Sequence, residues 1–186
     1  MYSPGFMAFA LPHPTRSVVL VGLMGAGKST VGKRLAKRLG LEFVDSDDEI
    51  ERAADHSIPE IFDRFGEGSF RDGERRVIAR LIEGPPKVIA TGGGAFINDR
   101  TRALILERCI AIWLDADVET LAERVSRRDH RPLLKDKEPL PLLRELAAVR
   151  NPIYAQAHLH ILTRPAPHER TVEEIVRALA AWREPA

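Results

Sequence analysis

Cysteine is almost missing from this 186-residue chain, because Cys109 is the only one. No disulfide can form within the chain, and a lone thiol is typical of proteins from a reducing compartment. Long apolar runs are missing too, since no stretch reaches the roughly 20 residues that a membrane-spanning helix needs. Neither sign of charge is in excess, because the net charge is +1 at pH 7. The charge therefore gives no reason to expect nucleic acid or an anionic membrane as a partner.

The first sixteen residues, MYSPGFMAFALPHPTR, are apolar but lack an early positive charge and are interrupted by three prolines. A secretory signal peptide has a charged start and an uninterrupted apolar segment. We therefore expect residues 1–16 to be a loose leader on a cytoplasmic protein. The composition, 44% hydrophobic and 30% charged, suits a single compact domain over residues 17–186.

Short runs typical of buried strands alternate with helical patterns along the chain. Apolar residues recur every four positions within Lys28–Leu39, where Gly40 can end the helix. Near the C-terminus, Thr171 and Glu174 have the spacing of a capping box and predict a helix start. The alternation predicts an α/β fold with a parallel sheet and helices on both faces. The strand-like runs are Ser17–Gly22, Leu41–Asp45, Lys87–Thr91, Cys109–Asp115 and His158–Leu162.

The stretch GLMGAGKST joins the first strand to the first helix and has the G-x-x-x-x-G-K-[ST] spacing of a phosphate-binding loop. Glycines let backbone N–H groups turn toward phosphates, and the following helix adds its positive end. Lys28 can bind the β- and γ-phosphates, and the Ser29 hydroxyl can bind Mg²⁺. The loop therefore predicts a bound nucleoside triphosphate. Its expected contacts are Gly25, Ala26, Gly27, Lys28, Ser29 and Thr30.

Acidic residues follow the second and fourth strands. Asp45 and Asp47 point the same way if the chain stays extended, so that one could lie near a metal and the other could accept hydrogen bonds from an alcohol. Asp48 is the expected cap of the next helix. Asp115, which ends the fourth strand, is an almost equal candidate for the metal. Asp117 is the expected cap of the helix that follows it.

Glycines and arginines supply the remaining candidates. Gly92–Gly94 follow the third strand and leave backbone N–H groups open to a close ligand. Arg71 and Glu74 lie on one face if their segment is helical, where a surface ion pair is the plain alternative. Arg131 precedes a proline in a charged loop, and Arg150 lies near a helix end. Each arginine alone could be a solvated surface residue.

Taken together, these stretches resemble the shikimate kinases from about Ser17 to Ile161. The resemblance depends on GLMGAGKST, DSDDEIE, FRDGE, TGGGAF, RPLL and RNPIY, of which the first alone identifies only the P-loop superfamily. It implies phosphate transfer from ATP to the 3-hydroxyl of shikimate, in the pathway to the aromatic amino acids. It also implies a P-loop NTPase-type three-layer αβα fold with a five-stranded parallel sheet of order 2-3-1-4-5. A substrate-binding insertion at about 46–76 and a lid at about 127–140 would close over that sheet.

The resemblance assigns the substrate side of the site. Asp47 would hold substrate hydroxyls and receive the reacting proton. Arg71 and Arg150 would bind the shikimate carboxylate, and Glu74 would orient Arg71. The substrate would also contact the glycines after the third strand, namely Gly92, Gly93 and Gly94.

The resemblance assigns the nucleotide side as well. Arg131 would close from the lid onto the phosphates. Ser29 would bind Mg²⁺ with Asp45 behind it, which favours Asp45 over Asp115. Arg124 and Pro167 would flank the adenine.

Two alternatives stay open on the sequence. The chain could be another small-metabolite kinase, of the gluconate or nucleoside monophosphate kinase type, which shares the loop and lid. It could also be an ATP-binding switch without catalysis, although Lys28, Ser29, Asp47 and Arg131 argue against this. The composition favours a monomer.

Overall fold

The structure is a computed structural model that describes residues 14–127 and 138–183. Its centre is one five-stranded sheet in which all neighbouring strands run parallel. The strands are β1 Val18–Val21, β2 Glu42–Asp45, β3 Lys87–Ala90, β4 Ile110–Asp115 and β5 Leu159–Leu162. Their order in the sheet, β2-β3-β1-β4-β5, confirms the order expected from the sequence.

The first strand is the middle of the sheet and of the core. All four residues of β1 are buried, and Val18 pairs with Val88 of β3 on one side and with Ile110 of β4 on the other. Strands buried on both faces need apolar side chains on both, which explains the continuous apolar runs in the sequence. Because the strands are parallel, the carboxyl ends of β1, β2, β3 and β4 lie along one edge.

Helices cover the sheet to give the expected three-layer αβα architecture. The helices are α1 Lys28–Leu39, α2 Ser46–Ala54, α3 Ile58–Ile82, α4 Asp99–Arg108, α5 Val118–Ser126, α6 Pro139–Tyr154 and α7 His168–Ala181. Helix α1 packs against α7 and against β1, β2 and β3, whereas α4 packs against β4 and α3. A 3₁₀ turn, Ala95–Ile97, precedes α4. No helix in these described parts is both long enough and apolar enough to cross a lipid bilayer.

The helix ends test the caps expected from the sequence. Gly40 ends α1 in the left-handed conformation, and the Asp117 carboxylate accepts a 2.8 Å hydrogen bond from the Thr120 N–H at the start of α5, both as predicted. The capping box predicted at Thr171 is wrong, because α7 begins at His168 and Thr171 is buried within it. A residue inside the first turn has helical backbone, so it cannot occupy the cap position, which Pro167 takes.

Helix α3 is interrupted at one residue. Gly66 has φ 77° and ψ 172°, a backbone conformation that is far from helical and is essentially restricted to glycine. The interruption divides the 25-residue element into two helical halves, with Arg71 and Glu74 in the second. The position of these two side chains therefore depends on a break that helical periodicity alone does not predict.

The expected insertion at about 46–76 corresponds to α2 and the greater part of α3. The first thirteen residues of the expected leader and residues 128–137 of the expected lid lie outside the described residues.

Candidate functional site

The glycine-rich loop between β1 and α1 has the backbone that its sequence predicts. Gly22, Gly25 and Gly27 all have positive φ, at 139°, 83° and 91°. A Cβ at Gly22 would overlap the carbonyl oxygen of Leu114, so no larger residue fits there. The loop thus wraps tightly around the start of α1, whose N–H groups point into the site.

Lys28 and Ser29 begin α1 and face the same space. The Lys28 ammonium donates hydrogen bonds to the carbonyl oxygens of Gly22 at 2.7 Å and of Leu23 at 2.9 Å. The Ser29 hydroxyl donates to Asp45 Oδ2 at 2.6 Å. Because its proton points at Asp45, the Ser29 oxygen can offer lone pairs to a cation. Hydroxyl and carboxylate oxygens are the hard ligands that Mg²⁺ prefers, so this pair fits a magnesium ion.

Asp45 also caps a helix, which corrects the prediction for Asp48. Helix α2 begins at Ser46, and Asp45 Oδ1 accepts a 3.0 Å hydrogen bond from the Asp47 N–H. The chain is therefore helical from Ser46 onward, and the assumption that it stays extended through Asp47 is wrong. One oxygen of the Asp45 carboxylate caps α2, and the other accepts the hydrogen bond from the Ser29 hydroxyl. Asp45 therefore joins α2 to the phosphate-binding loop.

Asp47 lies against the end of β3. A Cβ at Gly92 would come within 2.8 Å of Asp47 Oδ1, closer than real Cβ contacts come. Burial and the nearby Asp45 charge raise the pKa of Asp47 to about 6, while the Lys28 charge opposes the rise. The carboxyl group can therefore hold or release a proton near neutral pH.

Arg71 lies against Gly94, the last of the three glycines. Its guanidinium occupies the position that a Cβ at Gly94 would take. Arg71 Nη1 donates to Glu74 Oε2 at 2.7 Å, so the two share one helix face as predicted. Glu74 is 1% exposed, and this is not the weak surface pair that the sequence left as an alternative. Burial raises the pKa of Glu74, and the attached Arg71 charge opposes that rise.

Arg150, on α6, lies against the glycine between those two. A Cβ at Gly93 would meet Arg150 Nη1 at 3.4 Å and the Tyr154 hydroxyl at 3.7 Å. None of the three glycines has a positive φ, so the backbone does not require glycine there. Gly92 and Gly94 provide space that a Cβ would fill, and three functional side chains from α2, α3 and α6 converge on the three glycines.

A cavity of about 390 Å³ connects the loop to this strand end. Arg124 reaches it from α5 and donates to the Gly25 carbonyl at 3.2 Å. His168, the first residue of α7, also lines it, whereas the neighbouring Pro167 is exposed at the helix cap. Its lining residues include Lys28, Ser29, Thr30, Asp45, Asp47, Thr91, Gly92 and Gly93.

Two of the candidates from the sequence stand apart from this assembly. Asp115, the rival metal ligand, interacts with His160 of β5 at 2.9 Å, and it is not among the residues that line the cavity. Arg131 lies outside the described residues.

Two residues of the site were not predicted from the sequence, namely His168 and Tyr154. The sequence gives no signal for His168, because the capping pattern predicts a helix start only at Thr171, three residues later. Tyr154 stands in the quoted motif RNPIY but received no role, although its hydroxyl donates to the Gly93 carbonyl oxygen. The only signal for it was its spacing of four residues from Arg150 on a helix.

A phosphate-binding loop on a parallel sheet of order 2-3-1-4-5, facing a half-buried carboxylate and two arginines, defines a P-loop kinase of a small, acidic metabolite. A family model described as shikimate kinase matches residues 24–180. The chain belongs to the shikimate kinase family and is an ATP-dependent kinase.

Individual relatives agree with the family model. The shikimate kinase of Caulobacter vibrioides (strain NA1000 / CB15N) is 58% identical over 168 residues, which cover 90% of this chain and 84% of the relative. That of Zymomonas mobilis is 55% identical over 168 residues, with 90% and 95% covered. The solved structure of shikimate kinase from Acinetobacter baumannii in complex with shikimate has a TM-score of 0.86 and 39% identity. It covers 91% of this chain and 95% of its own.

Proposed function

We propose that this chain transfers the γ-phosphate of ATP to the 3-hydroxyl of shikimate, giving shikimate 3-phosphate and ADP. One observation carries the proposal: Asp47, Arg71 and Arg150 converge on Gly92–Gly94, beside the loop that holds Lys28. An acceptor with a carboxylate at one end and a hydroxyl at the other fits that arrangement.

The two arginines recognise the carboxylate. Each guanidinium presents a planar fork that matches a carboxylate, and charge-assisted hydrogen bonds of this kind contribute roughly 1.5–3 kcal/mol. Arg71 is held by Glu74 through a 2.7 Å hydrogen bond, so its fork is oriented before the substrate arrives. Binding therefore loses less side-chain entropy than a free arginine would.

Asp47 accepts the proton of the reacting hydroxyl. As the hydroxyl oxygen bonds to the γ-phosphorus, the bond from that phosphorus to the bridging oxygen of ADP breaks, and the released proton moves to the carboxylate. The pKa of about 6 suits this task, since the group is mostly ionised at neutral pH yet has a high proton affinity for an aspartate.

The phosphates lie in the glycine-rich loop. Lys28 exchanges its hydrogen bonds to the Gly22 and Leu23 carbonyls for phosphate oxygens, and thereby stabilises the charge that develops during transfer. Ser29 and Asp45 would hold Mg²⁺, and the bound ion would neutralise phosphate charge. Arg124 and Pro167 contact the adenine side, and the role of Arg131 stays a prediction from the sequence.

In the same proposal, residues 17–186 form one kinase domain that acts as a monomer. Its α2 and the first part of α3 cover the acceptor, which excludes water from the transferring phosphate.

The test measures ADP release with Mg²⁺, ATP and a panel of acceptors: shikimate, quinate, gluconate and nucleoside monophosphates. We expect shikimate to give the highest kcat/KM. Faster turnover of gluconate or of a nucleotide would refute the substrate assignment. ATP binding without any transfer would instead support the switch without catalysis.

A further inference from the structure

Tyr154 is completely buried, although its side chain ends in a hydroxyl. It is the last residue of α6, and its ring lies between the rings of Phe96 and Trp113, with centroid distances of 6.4 Å and 6.1 Å. A phenylalanine would fill the same space among these apolar rings. The hydroxyl adds nothing to this packing, and a buried polar group without hydrogen-bond partners destabilises the fold. Its presence therefore has to be explained by the partners that it binds.

The hydroxyl has two partners, and both belong to the site. It donates its hydrogen to the Gly93 carbonyl oxygen, and the Arg150 guanidinium lies beside it, because a Cβ at Gly93 would meet both Arg150 Nη1, at 3.4 Å, and this hydroxyl, at 3.7 Å. Because a phenol has one hydrogen and further lone pairs, it can donate to the first and accept from the second at once. Burial raises the pKa of Tyr154 to about 12, so this donor keeps its hydrogen.

We propose that Tyr154 is a positioning residue for acid recognition: its hydroxyl fixes the Arg150 guanidinium against Gly93, in the orientation that receives the substrate carboxylate. The inference rests on the proposed function, in which Arg150 binds that carboxylate. Tyr154 lies one helical turn beyond Arg150, so both project from the same face of α6. Tyr154 thus does for Arg150 what Glu74 does for Arg71, with a neutral partner in place of a charged one.

The test is Tyr154→Phe, which keeps the ring and removes only the hydroxyl. A freed Arg150 must be ordered by the substrate itself, so we expect KM for shikimate to rise about tenfold. The value of kcat and the KM for ATP should stay within about twofold. The preference for shikimate over its methyl ester, as a ratio of kcat/KM values, should fall by a similar factor because the ester carries no charge.

Thr101→Val is the matched control. Thr101 is also fully buried, and its hydroxyl donates to Asn98 at the start of α4. Its loss should lower the melting temperature slightly and leave KM for shikimate unchanged. If Thr101→Val raised this KM as Tyr154→Phe does, the effect would be general loosening of the core, and the positioning role would be refuted.

A double-variant cycle isolates the path through Arg150. In an Arg150→Ala background, Tyr154→Phe should change KM for shikimate no further. If Tyr154→Phe still raised KM for shikimate about tenfold in that background, Tyr154 would act by a route other than Arg150. Failure of the proposed function would give a different result, because the wild-type enzyme itself would then not phosphorylate shikimate.

Discussion

At the scale of single residues, Gly92, Gly93 and Gly94 show what the site requires. None of the three has a positive φ, but each lies against a different functional side chain. Alanine at Gly92 or Gly94 should therefore displace the side chain that it meets, whereas alanine at Gly93 would make only ordinary contacts, at 3.4 Å or more. This separates an effect on function from an effect on stability.

Gly94→Ala should raise KM for shikimate by about tenfold, because the new methyl group occupies the position of the Arg71 guanidinium. Gly94 has φ −91° and ψ −13°, which alanine adopts without strain, so the melting temperature should hold within a few degrees. Steady-state kinetics and thermal unfolding measure the two effects. Combining Gly94→Ala with Arg71→Ala should add nothing to KM, and full additivity would contradict the contact.

Asp47→Asn should lower kcat at least 100-fold at saturating shikimate and ATP, since positioned general bases contribute about 10²–10⁴-fold. Asparagine keeps the shape beside Gly92 but loses the negative charge and the proton affinity. Asp48→Asn is the control, because Asp48 is exposed and makes no cap. A near-normal kcat for Asp47→Asn would leave Asp47 a role in binding only.

At the scale of secondary-structure elements, α3 carries Arg71 and Glu74 beyond a break in its own helix. Only Gly66 is non-helical within the element, and its positive φ is a conformation that alanine adopts with strain. The break gives the second half of α3 a direction independent of the first. The position of Arg71 over Gly94 thus depends on one backbone angle.

Gly66→Ala should lower the free energy of unfolding by about 1–2 kcal/mol, as strained left-handed positions do. Gly68→Ala, two residues later, should raise it by about 0.5–1 kcal/mol, because alanine is the better helix former where φ is ordinary. A Cβ meets nothing within 4 Å at either position, so crowding cannot explain a difference. Urea unfolding of the two variants measures the difference in their free energies of unfolding. Equal changes in this free energy for the two variants would argue against the break at Gly66.

At the scale of the whole molecule, the core and the site share the same strands. Val18–Val21 are the buried centre of the sheet, and the phosphate-binding loop begins at the next residue. Cys109, which caps α4 just before β4, is 0% exposed, and burial raises the pKa of its thiol to about 12. Since it is the only cysteine in the chain, its labelling reports the opening of this core alone.

Cys109 should react with a disulfide reagent only after global unfolding. Saturation with ADP and Mg²⁺ at about 100 times the dissociation constant should therefore slow labelling roughly 100-fold, because the ligand binds the folded state alone. The measurement is the rate at which the reagent releases its own thiol as it labels Cys109, at a fixed low urea concentration. If the nucleotide did not change the labelling rate, the region around Cys109 would open locally while the phosphate-binding loop stays folded.

The sequence by itself determined the features that short-range physics controls. The glycine-rich loop, the apolar strands and the cap at Asp117 are local patterns, because backbone sterics and burial on two faces act within a few residues. The resemblance of ordered motifs added the strand order and the family. These expectations agree with the structure and with the relatives.

The tertiary structure alone decided which distant side chains meet. Asp45 rather than Asp48 caps α2, and α7 starts at His168 rather than near Thr171. Tyr154 touches Gly93, which precedes it by 61 residues. Such contacts depend on how α6 and α7 pack on the sheet, and no pattern within either helix encodes that packing. The residues that align the site were therefore visible only once the layers were assembled.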